Sequence, residues 1–229
     1  MNGKTVFCIP VRGGSRRIPR KNLLELGGET LIHRKVRQLL PLGTVVVGSD
    51  SDEMLEEARR TGAVAVRRRC TDEGRDSAND MIHEMMGLVE PLEPKTVVWC
   101  HCTNPFVSTD TYRRAVAEFE RCIGEGYDSL VSVKEVREHL WRNDMRTPMY
   151  SVEQCRIRHI CAGELEPIYQ QNGAIFIQPY EKMAENSYFF GEKPELFVMS
   201  EYESFDINTP EDWICCQVLY EHGKENGLV

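Results

Sequence analysis

The sequence predicts an α/β fold in which helices cover both faces of a mostly parallel sheet. Strand-like and helix-like segments alternate from residue 5 to residue 133, and the strand-like runs are almost continuously apolar, as in strands buried on both faces. A basic loop with two adjacent glycines, at residues 11–22, follows the first run. In such sheets ligands bind beyond the carboxyl ends of the strands, so the position of this loop agrees with its charge.

Each predicted strand is short, and each of the first four is followed by a predicted helix. The strands are expected at residues 5–10, 43–50, 63–66, 96–100 and 127–133. The helices are expected at residues 30–40, 51–62, 77–90 and 108–126. Apolar side chains recur with helical spacing in the first and third of these helices. In the second, Ser51 or Asp52 is the predicted N-cap and Gly62 the predicted C-cap.

The alternation stops at residues 134–168, which we interpret as an inserted arm within a single domain that covers residues 1–229. Short alternating pieces in this segment favour a hairpin or short strands. We expect the arm to serve in oligomer contact or as a lid.

The α/β pattern resumes after the arm. A strand is expected at residues 172–178, followed by a short helix begun by Pro179 and an edge-like strand at 195–200. The last helix is expected to start after Thr209, its N-cap, with Pro210 in the first turn.

The composition is that of an acidic chain with locally concentrated basic charge. The 229 residues have a formal net charge of −8 and a pI near 5.4. A general nucleic-acid or membrane surface would need a broad excess of Lys and Arg, so neither is expected. Basic residues cluster at 12–21 and 67–69, which favours a small anionic ligand, with two solvated loops as the alternative.

We expect a cytoplasmic protein. The sequence shows neither a signal peptide nor an apolar run of the ~18 residues that a membrane span needs. Nine cysteines, an odd number, are typical of free thiols in a reducing compartment. "CHC" at 100–102 and "CRIRHIC" at 155–161 lack the CxxC spacing of a structural zinc site, which disfavours zinc.

The loop "IPVRGGSRRIPRKN", residues 9–22, has the chemistry of an anion site. The Gly-Gly-Ser turn lets backbone N–H groups converge on an anion without side-chain obstruction. Its basic side chains can neutralise several phosphate charges; these are Arg12, Arg16, Arg17 and Lys21. The loop matches neither the Walker A pattern nor the dinucleotide fingerprint GxGxxG.

Three later segments also carry polar groups that could contact a ligand. In "ESFDINTPEDW", Asp206 and Asn208 lie two residues apart and suit Mg²⁺ held jointly with phosphate oxygens; helix capping is the alternative. Thr103 and Asn104 follow the fourth strand and could bind a base or sugar, or form an ordinary turn. Residues 170–172 provide neutral hydrogen-bond donors and acceptors at the start of a buried strand. They suit a hydroxylated or acyl-amide substrate, or they are simply the polar first residues of the strand.

In this order the four segments resemble the cytidylyltransferases that activate acidic sugars: CMP-sialic acid synthetases and their relatives for legionaminic, pseudaminic and 3-deoxy-octulosonic acids. The first segment is similar to the family signature IPARGGSKGIPRKN. "CTNPFV" stands where the family has a QPTSPL-like segment, and "QNGAIFI" and "FDINTPEDW" are similar to its NGAIYI-like and DIDTPEDW-like segments. The resemblance covers the chain from Thr5 to about Tyr220.

The resemblance implies a Rossmann-like fold of the nucleotide-diphospho-sugar transferase type with a small dimerisation arm. It also implies a homodimer that uses CTP, a small acidic sugar and Mg²⁺. The sugar-acid hydroxyl would attack the α-phosphorus of CTP and release pyrophosphate, without a covalent enzyme intermediate.

Family roles transfer to the matching positions of this sequence. The resemblance implies that Arg12 holds the triphosphate, that Lys21 stabilises the α-phosphate and departing pyrophosphate, and that Asp206 binds Mg²⁺. The other implied nucleotide-binding residues are Gly13, Gly14, Ser15, Arg16, Asn22, one of Arg68 and Arg69, Ser77, His101 and Thr103. The implied substrate-binding residues are Asn104, Gln170, Gln171 and Asn172, and Asn208 would join Asp206 at the metal.

Five positions depart from the family pattern. Arg16 replaces the usual Lys and Arg17 the Gly after it. His101 replaces a base-reading Gln, and Asn208 replaces a second metal-binding Asp. Gln171 stands where relatives often have an Arg that can serve the carboxylate of the substrate, so the identity of the acid stays open.

Two alternatives remain at this point. One is a cytidylyltransferase for a small phosphonate or an alditol phosphate. The other is a nucleotide-binding or scaffold protein that has lost catalysis, which the departures at His101 and Asn208 suggest. The retained Arg12, Lys21 and Asp206 argue against that loss.

Overall fold

A computed structural model describes residues 4–15, 17–69, 77–144 and 146–228. The strands are β1 Thr5–Pro10, β2 Glu25–Leu26, β3 Glu29–Thr30, β4 Thr44–Ser49, β5 Val64–Arg67, β6 Thr96–Cys100, β7 Ser129–Val136, β8 Ile168–Pro179 and β9 Pro194–Val198. The α-helices are α1 Leu31–Leu39, α2 Asp52–Arg60, α3 Ala78–Val89, α4 Thr109–Ile123, α5 Val152–Ile157, α6 Tyr180–Asn186 and α7 Pro210–Glu225. In the part of the chain so described, no helix is both long and apolar enough to cross a membrane.

The central sheet has seven strands in the order β5-β4-β1-β6-β8-β7-β9. The β5–β4, β4–β1, β1–β6 and β7–β9 pairs are parallel, whereas β8 is antiparallel to both of its neighbours. The predicted α/β fold with a mostly parallel sheet is confirmed, and β9 is the edge strand that the sequence predicts. The small β2–β3 hairpin was not predicted; Gly27 and Gly28 turn it at φ 65° and 83°.

Side chains of the central strands alternate between two hydrophobic layers, one on each face of the sheet. In β1, Phe7 and Ile9 pack in the layer that contains α1, α2 and α4. Val6 and Cys8 pack in the opposite layer with α3 and α6. Because both faces of β1 are covered, its interior positions are all apolar, which is why a continuous apolar run indicates a buried strand here.

The arm predicted at 134–168 joins two neighbouring antiparallel strands. Its first three residues belong to β7 and Ile168 begins β8, so the segment outside the sheet is 137–167. This segment holds α5, a 3₁₀ turn at Ala162–Glu164 and one isolated antiparallel bridge between Trp141 and Pro148. The arm is therefore the elaborated end of a β-hairpin, and the helix within it was not predicted.

Helix α1 holds the backbone that follows β6 through buried polar side chains. Lys35 Nζ donates hydrogen bonds to Asn104 O at 2.8 Å and to Tyr112 Oη at 2.9 Å. Arg34 Nε donates to Pro105 O at 3.1 Å. Lys35 is completely buried, and burial lowers its pKa to about 8. The charged amine therefore costs stability, which its hydrogen bonds offset in part.

The buried Lys35 predicts a pH-dependent stability. Between pH 8 and 10.5 the unfolded chain binds more protons at this amine than the folded one, so the free energy of unfolding rises with pH. Urea unfolding measures this. Across this window the free energy of unfolding of wild type, relative to that of Lys35→Met, should rise with pH by up to about 3 kcal/mol.

The exposed Lys182, which pairs with Glu185 on α6, provides the control. Lys182→Met should track wild type at every pH. If the free energies of unfolding of wild type and Lys35→Met change with pH in parallel, the assigned burial of the charged amine is wrong.

Candidate active site

The basic loop begins in the middle of the sheet and is anchored to β4. Val11 N donates to Gly48 O at 2.9 Å, and Gly13 N donates to Asp50 Oδ1 at 2.9 Å. Ser15 N donates to Gly13 O at 3.2 Å. Two of the N–H groups predicted to face an anion are therefore bonded within the protein. Asp50 was not predicted, although its place after the carboxyl end of β4 is a signal for it.

The basic side chains of this loop point in different directions. Arg12 and Arg17 are exposed, and Arg16 lies outside the described residues. Arg17 Nη2 donates to Asn208 Oδ1 at 3.2 Å, which links the loop to the segment before α7. Arg20 adopts a left-handed conformation at φ 53° and pairs with Glu53 of α2. Arg17 thus takes a place at the site that the family resemblance does not assign.

Lys21 is half-buried and its ammonium group lies against the last motif. It opens a 3₁₀ turn, Lys21–Leu23, whose Asn22 is buried. Lys21 Nζ donates to Ile207 O at 2.6 Å. Burial lowers the pKa of Lys21, and the carboxylate of Asp206 partly opposes this. A cation is thus held beside the acidic segment at the carboxyl edge of the sheet.

Asp206 and Asn208 are in direct contact, as their spacing predicts. Asn208 Nδ2 donates to Asp206 Oδ2 at 2.6 Å. Asp206 Oδ1 is buried and has no hydrogen-bond partner among the described residues. The helix-capping alternative is wrong, because Thr209 is the N-cap of α7 and Asp212 completes its capping box. Asp206 is therefore available for another partner.

A cavity of about 470 Å³ opens beside Asp206. It brings together five predicted site residues, namely Gln170, Gln171, Asn172, Asp206 and Asn208. Its lining also includes residues that were not predicted, namely Lys134, Gly173, Glu201, Ser204, Phe205 and Asp212. The register that places Lys134 opposite Gln170 comes from strand pairing, which no local sequence signal specifies.

Asn172 holds the cavity wall together. Its Oδ1 accepts hydrogen bonds from Ser132 Oγ at 2.5 Å and Ala174 N at 3.1 Å, and its Nδ2 donates to Ser204 Oγ at 3.0 Å. Asn104 Nδ2 in turn donates to Asn172 O at 3.3 Å. Asn104 and Asn172 thus act mainly by positioning backbone, whereas Gln170 and Gln171 are exposed at the cavity.

His101 lies at the end of β6 with both ring nitrogens bonded. Trp99 Nε1 donates to Nε2 at 3.2 Å, so Nδ1 carries the proton and donates to Gly173 O at 2.7 Å. Burial lowers the pKa of His101, which favours the neutral ring. This geometry leaves no ring nitrogen for base reading. Thr103 contributes its carbonyl, which accepts from Ile207 N at 2.9 Å.

The remaining predicted nucleotide-binding residues lie on the other side of the basic loop. Arg68 N donates to Ser49 O at 2.9 Å, and Arg69 N donates to Glu84 Oε1 at 2.5 Å. Ser77 is the N-cap of α3 in a capping box with Asp80. In the sheet, β4 and β5 lie on one side of β1, and β6, β8 and β7 lie on the other. Arg68 and Arg69 follow β5, whereas the cavity at Asp206 is lined by residues of β7 and β8, so the loop after β1 lies between them.

The chain is similar to known proteins along almost its whole length. A family model described as cytidylyltransferase matches residues 6–213. CMP-N,N'-diacetyllegionaminic acid synthase from Legionella pneumophila is 32% identical over 97% of this chain and 98% of that protein. Pseudaminic acid cytidylyltransferase from Campylobacter jejuni is 25% identical over 98% of this chain and 100% of that protein.

The fold is shared with a solved structure. That structure is CMP:2-keto-3-deoxy-manno-octonic acid synthetase complexed with CTP. It matches with a TM-score of 0.69 and 13% identity, over 96% of this chain and 99% of that one. At this identity the likeness concerns the fold alone.

The two adjacent polar residues Gln171 and Asn172 should respond differently to mutation. Asn172→Ala removes the partner of two serine hydroxyls and should lower the free energy of unfolding by about 1–3 kcal/mol. Gln171→Ala, at an exposed position, should change it by less than about 0.5 kcal/mol. Urea unfolding of both variants measures this, and equal losses would contradict the assignment of Asn172 as the buried partner.

Proposed function

The chain belongs to the cytidylyltransferase family, and from this premise we propose that it transfers a cytidylyl group from CTP to an acidic sugar. The products are a CMP-sugar and pyrophosphate. The observation that supports this most is the meeting of Lys21 with the Asp206 segment beside a cavity lined by Gln170 and Gln171. The names of both curated relatives specify sugar acids, which supports an acidic acceptor.

The proposed reaction needs positioning and charge neutralisation rather than a protein nucleophile. A hydroxyl oxygen of the sugar acid forms a bond to the α-phosphorus and loses its proton to water. The bond from that phosphorus to the bridging oxygen breaks, and its electron pair leaves with pyrophosphate. Lys21 would stabilise this charge at the site centre, with Arg12 and Arg17 at the exposed side of the loop.

The residues at Asp206 fit a divalent cation such as Mg²⁺. Asp206 Oδ1 is a buried carboxylate oxygen without a partner in the described chain, and the other oxygen of this carboxylate accepts a hydrogen bond from Asn208 Nδ2. No cluster of three or more His, Cys, Asp or Glu suited to a metal occurs among the described residues, so triphosphate oxygens would complete the coordination. Asp206 and Asn208 would hold the ion, which would supply Lewis-acid chemistry and neutralise phosphate charge.

We further infer a homodimer formed through the arm. Large apolar side chains are exposed on segment 137–167, including Trp141 at 53% and Ile157 at 90%. A second copy of the chain would remove this surface from water. A cytoplasmic location stays an inference from the free thiols of the eight described cysteines.

Turnover of CTP with a panel of acceptors tests the proposed function. The panel contains eight-carbon and nine-carbon sugar acids, a small phosphonate and an alditol phosphate, and pyrophosphate release is measured. We expect turnover with at least one sugar acid. Lys21→Ala should lower kcat/KM by ~10²–10³-fold, the typical effect of removing one group that stabilises developing charge.

The surface variant Lys182→Ala is the control and should behave as wild type. If only the phosphonate or the alditol phosphate supports turnover, the proposed acceptor class is wrong. Unchanged kcat/KM in Lys21→Ala would contradict the mechanism.

The metal proposal has its own test in Asp206→Asn. Removing the carboxylate charge should weaken Mn²⁺ binding to the enzyme–CTP complex by at least roughly 10-fold, the lower bound for outer-shell changes at metal sites. Electron paramagnetic resonance of free Mn²⁺ measures this without turnover. Asp110→Asn, at an exposed position on α4, should leave the affinity unchanged, and an equal affinity in Asp206→Asn would contradict the assignment.

A further inference from the structure

We propose that Lys134 binds the carboxylate of the acceptor sugar and thereby selects acidic over neutral acceptors. The inference rests on the proposed function, since it assigns a residue to the acid group of that substrate. Lys134 lies near the end of β7, on the cavity that contains Asp206. Neither the loop motif nor the metal segment includes it.

Strand pairing places Lys134 among the residues expected to contact substrate. It is directly opposite Gln170 in the antiparallel β7–β8 ladder. Directly paired residues in such a ladder project to the same face of the sheet, with their side chains in contact range. The lysine therefore stands beside the exposed Gln170, and Gln171 lines the same cavity.

The charges around the cavity single out this lysine as a partner for an acidic ligand. The described lining contains three carboxylates, Glu201, Asp206 and Asp212, and Lys134 is the one cation among those residues. A sugar carboxylate that enters this cavity meets repulsion unless a cation accompanies it. Gln170 and Gln171 are neutral and can bind hydroxyl or amide groups but cannot balance a charge.

The contacts of the other two carboxylates in the described chain do not involve Lys134. Asp212 Oδ2 accepts hydrogen bonds from Asn208 N and Thr209 N, each at 2.8 Å, within the cap of α7. Asp206 lies near Lys21 and bonds Asn208. Neither of these carboxylates therefore pairs with Lys134, whose ammonium group can pair with a ligand or with Glu201.

The present partner of Lys134 is easily replaced. Lys134 Nζ lies 3.2 Å from Glu201 Oε2, and the Glu201 side chain is 75% exposed while that of Lys134 is 28% exposed. An ion pair with one largely exposed partner contributes little to stability. A substrate carboxylate can replace Glu201 as the partner of Lys134. Lys134 then still has an ion pair, and the Glu201 carboxylate is solvated.

Steady-state kinetics of Lys134→Gln with the preferred sugar acid tests the assignment. We expect the KM for the sugar acid to rise by ~10–100-fold, the range for loss of a charge-assisted hydrogen bond. The KM for CTP should stay within about twofold, because none of the described loop residues lines the cavity that holds Lys134. Wild type should prefer the acid over its carboxamide analogue, and Lys134→Gln should lose most of that preference.

Three matched variants complete the design. Lys134→Arg keeps the charge and should retain most of the affinity for the acid. Glu201→Gln removes the competing carboxylate and should leave the KM for the acid unchanged or lower. Lys182→Gln, on the surface of α6, should equal wild type. Thermal unfolding of each variant separates loss of fold from loss of binding.

The outcomes distinguish the two proposals. Wild-type turnover with a sugar acid, together with an unmoved KM in Lys134→Gln, overturns the Lys134 assignment and leaves the proposed function standing. A parallel rise in the KM values for CTP and acid also overturns it. Failure of wild type to use any sugar acid rejects the proposed function and the assignment with it.

Discussion

The site depends on the contact between the loop after β1 and the segment before α7. Residues almost the whole chain apart meet there, through Lys21 Nζ and Ile207 O at 2.6 Å and through Arg17 and Asn208 at 3.2 Å. A half-buried ammonium group beside a carboxylate is stable only if nearby groups remain in place. This constraint explains why the surrounding loops are held by buried polar bonds.

Those bonds form a polar frame at the carboxyl edge of the sheet. Asn172 connects β7, β8 and the segment before α7, while Lys35 connects α1 to the backbone after β6. Each buried polar group in this frame has a cost that its partners must balance. The frame thus trades stability for fixed loop positions, which a reaction governed by alignment requires.

Charge is divided across the site as the proposed displacement would need. In the proposed function the basic loop would supply cations for phosphate, and the unpartnered Asp206 Oδ1 would be open to a metal ion. The acidic lining of the cavity would then exclude anions in general, so one lysine in that lining suffices to admit a particular acid. In this proposal specificity would arise from the contrast between Lys134 and its acidic surroundings.

The α/β class, the N-cap at Thr209 and the closeness of Asp206 to Asn208 are predictable from the sequence, because periodicity, capping and residue spacing are local properties. The sequence leaves Ser51 and Asp52 as alternatives for the N-cap of α2, and the structure has Ser51. Only the tertiary structure decided that His101 has no free ring nitrogen and that Asn172 is engaged inside the wall. It also decided that Lys134 faces the cavity. These depend on which strands pair, in which register and with what burial, and pairing between distant segments leaves no mark in a short window of sequence.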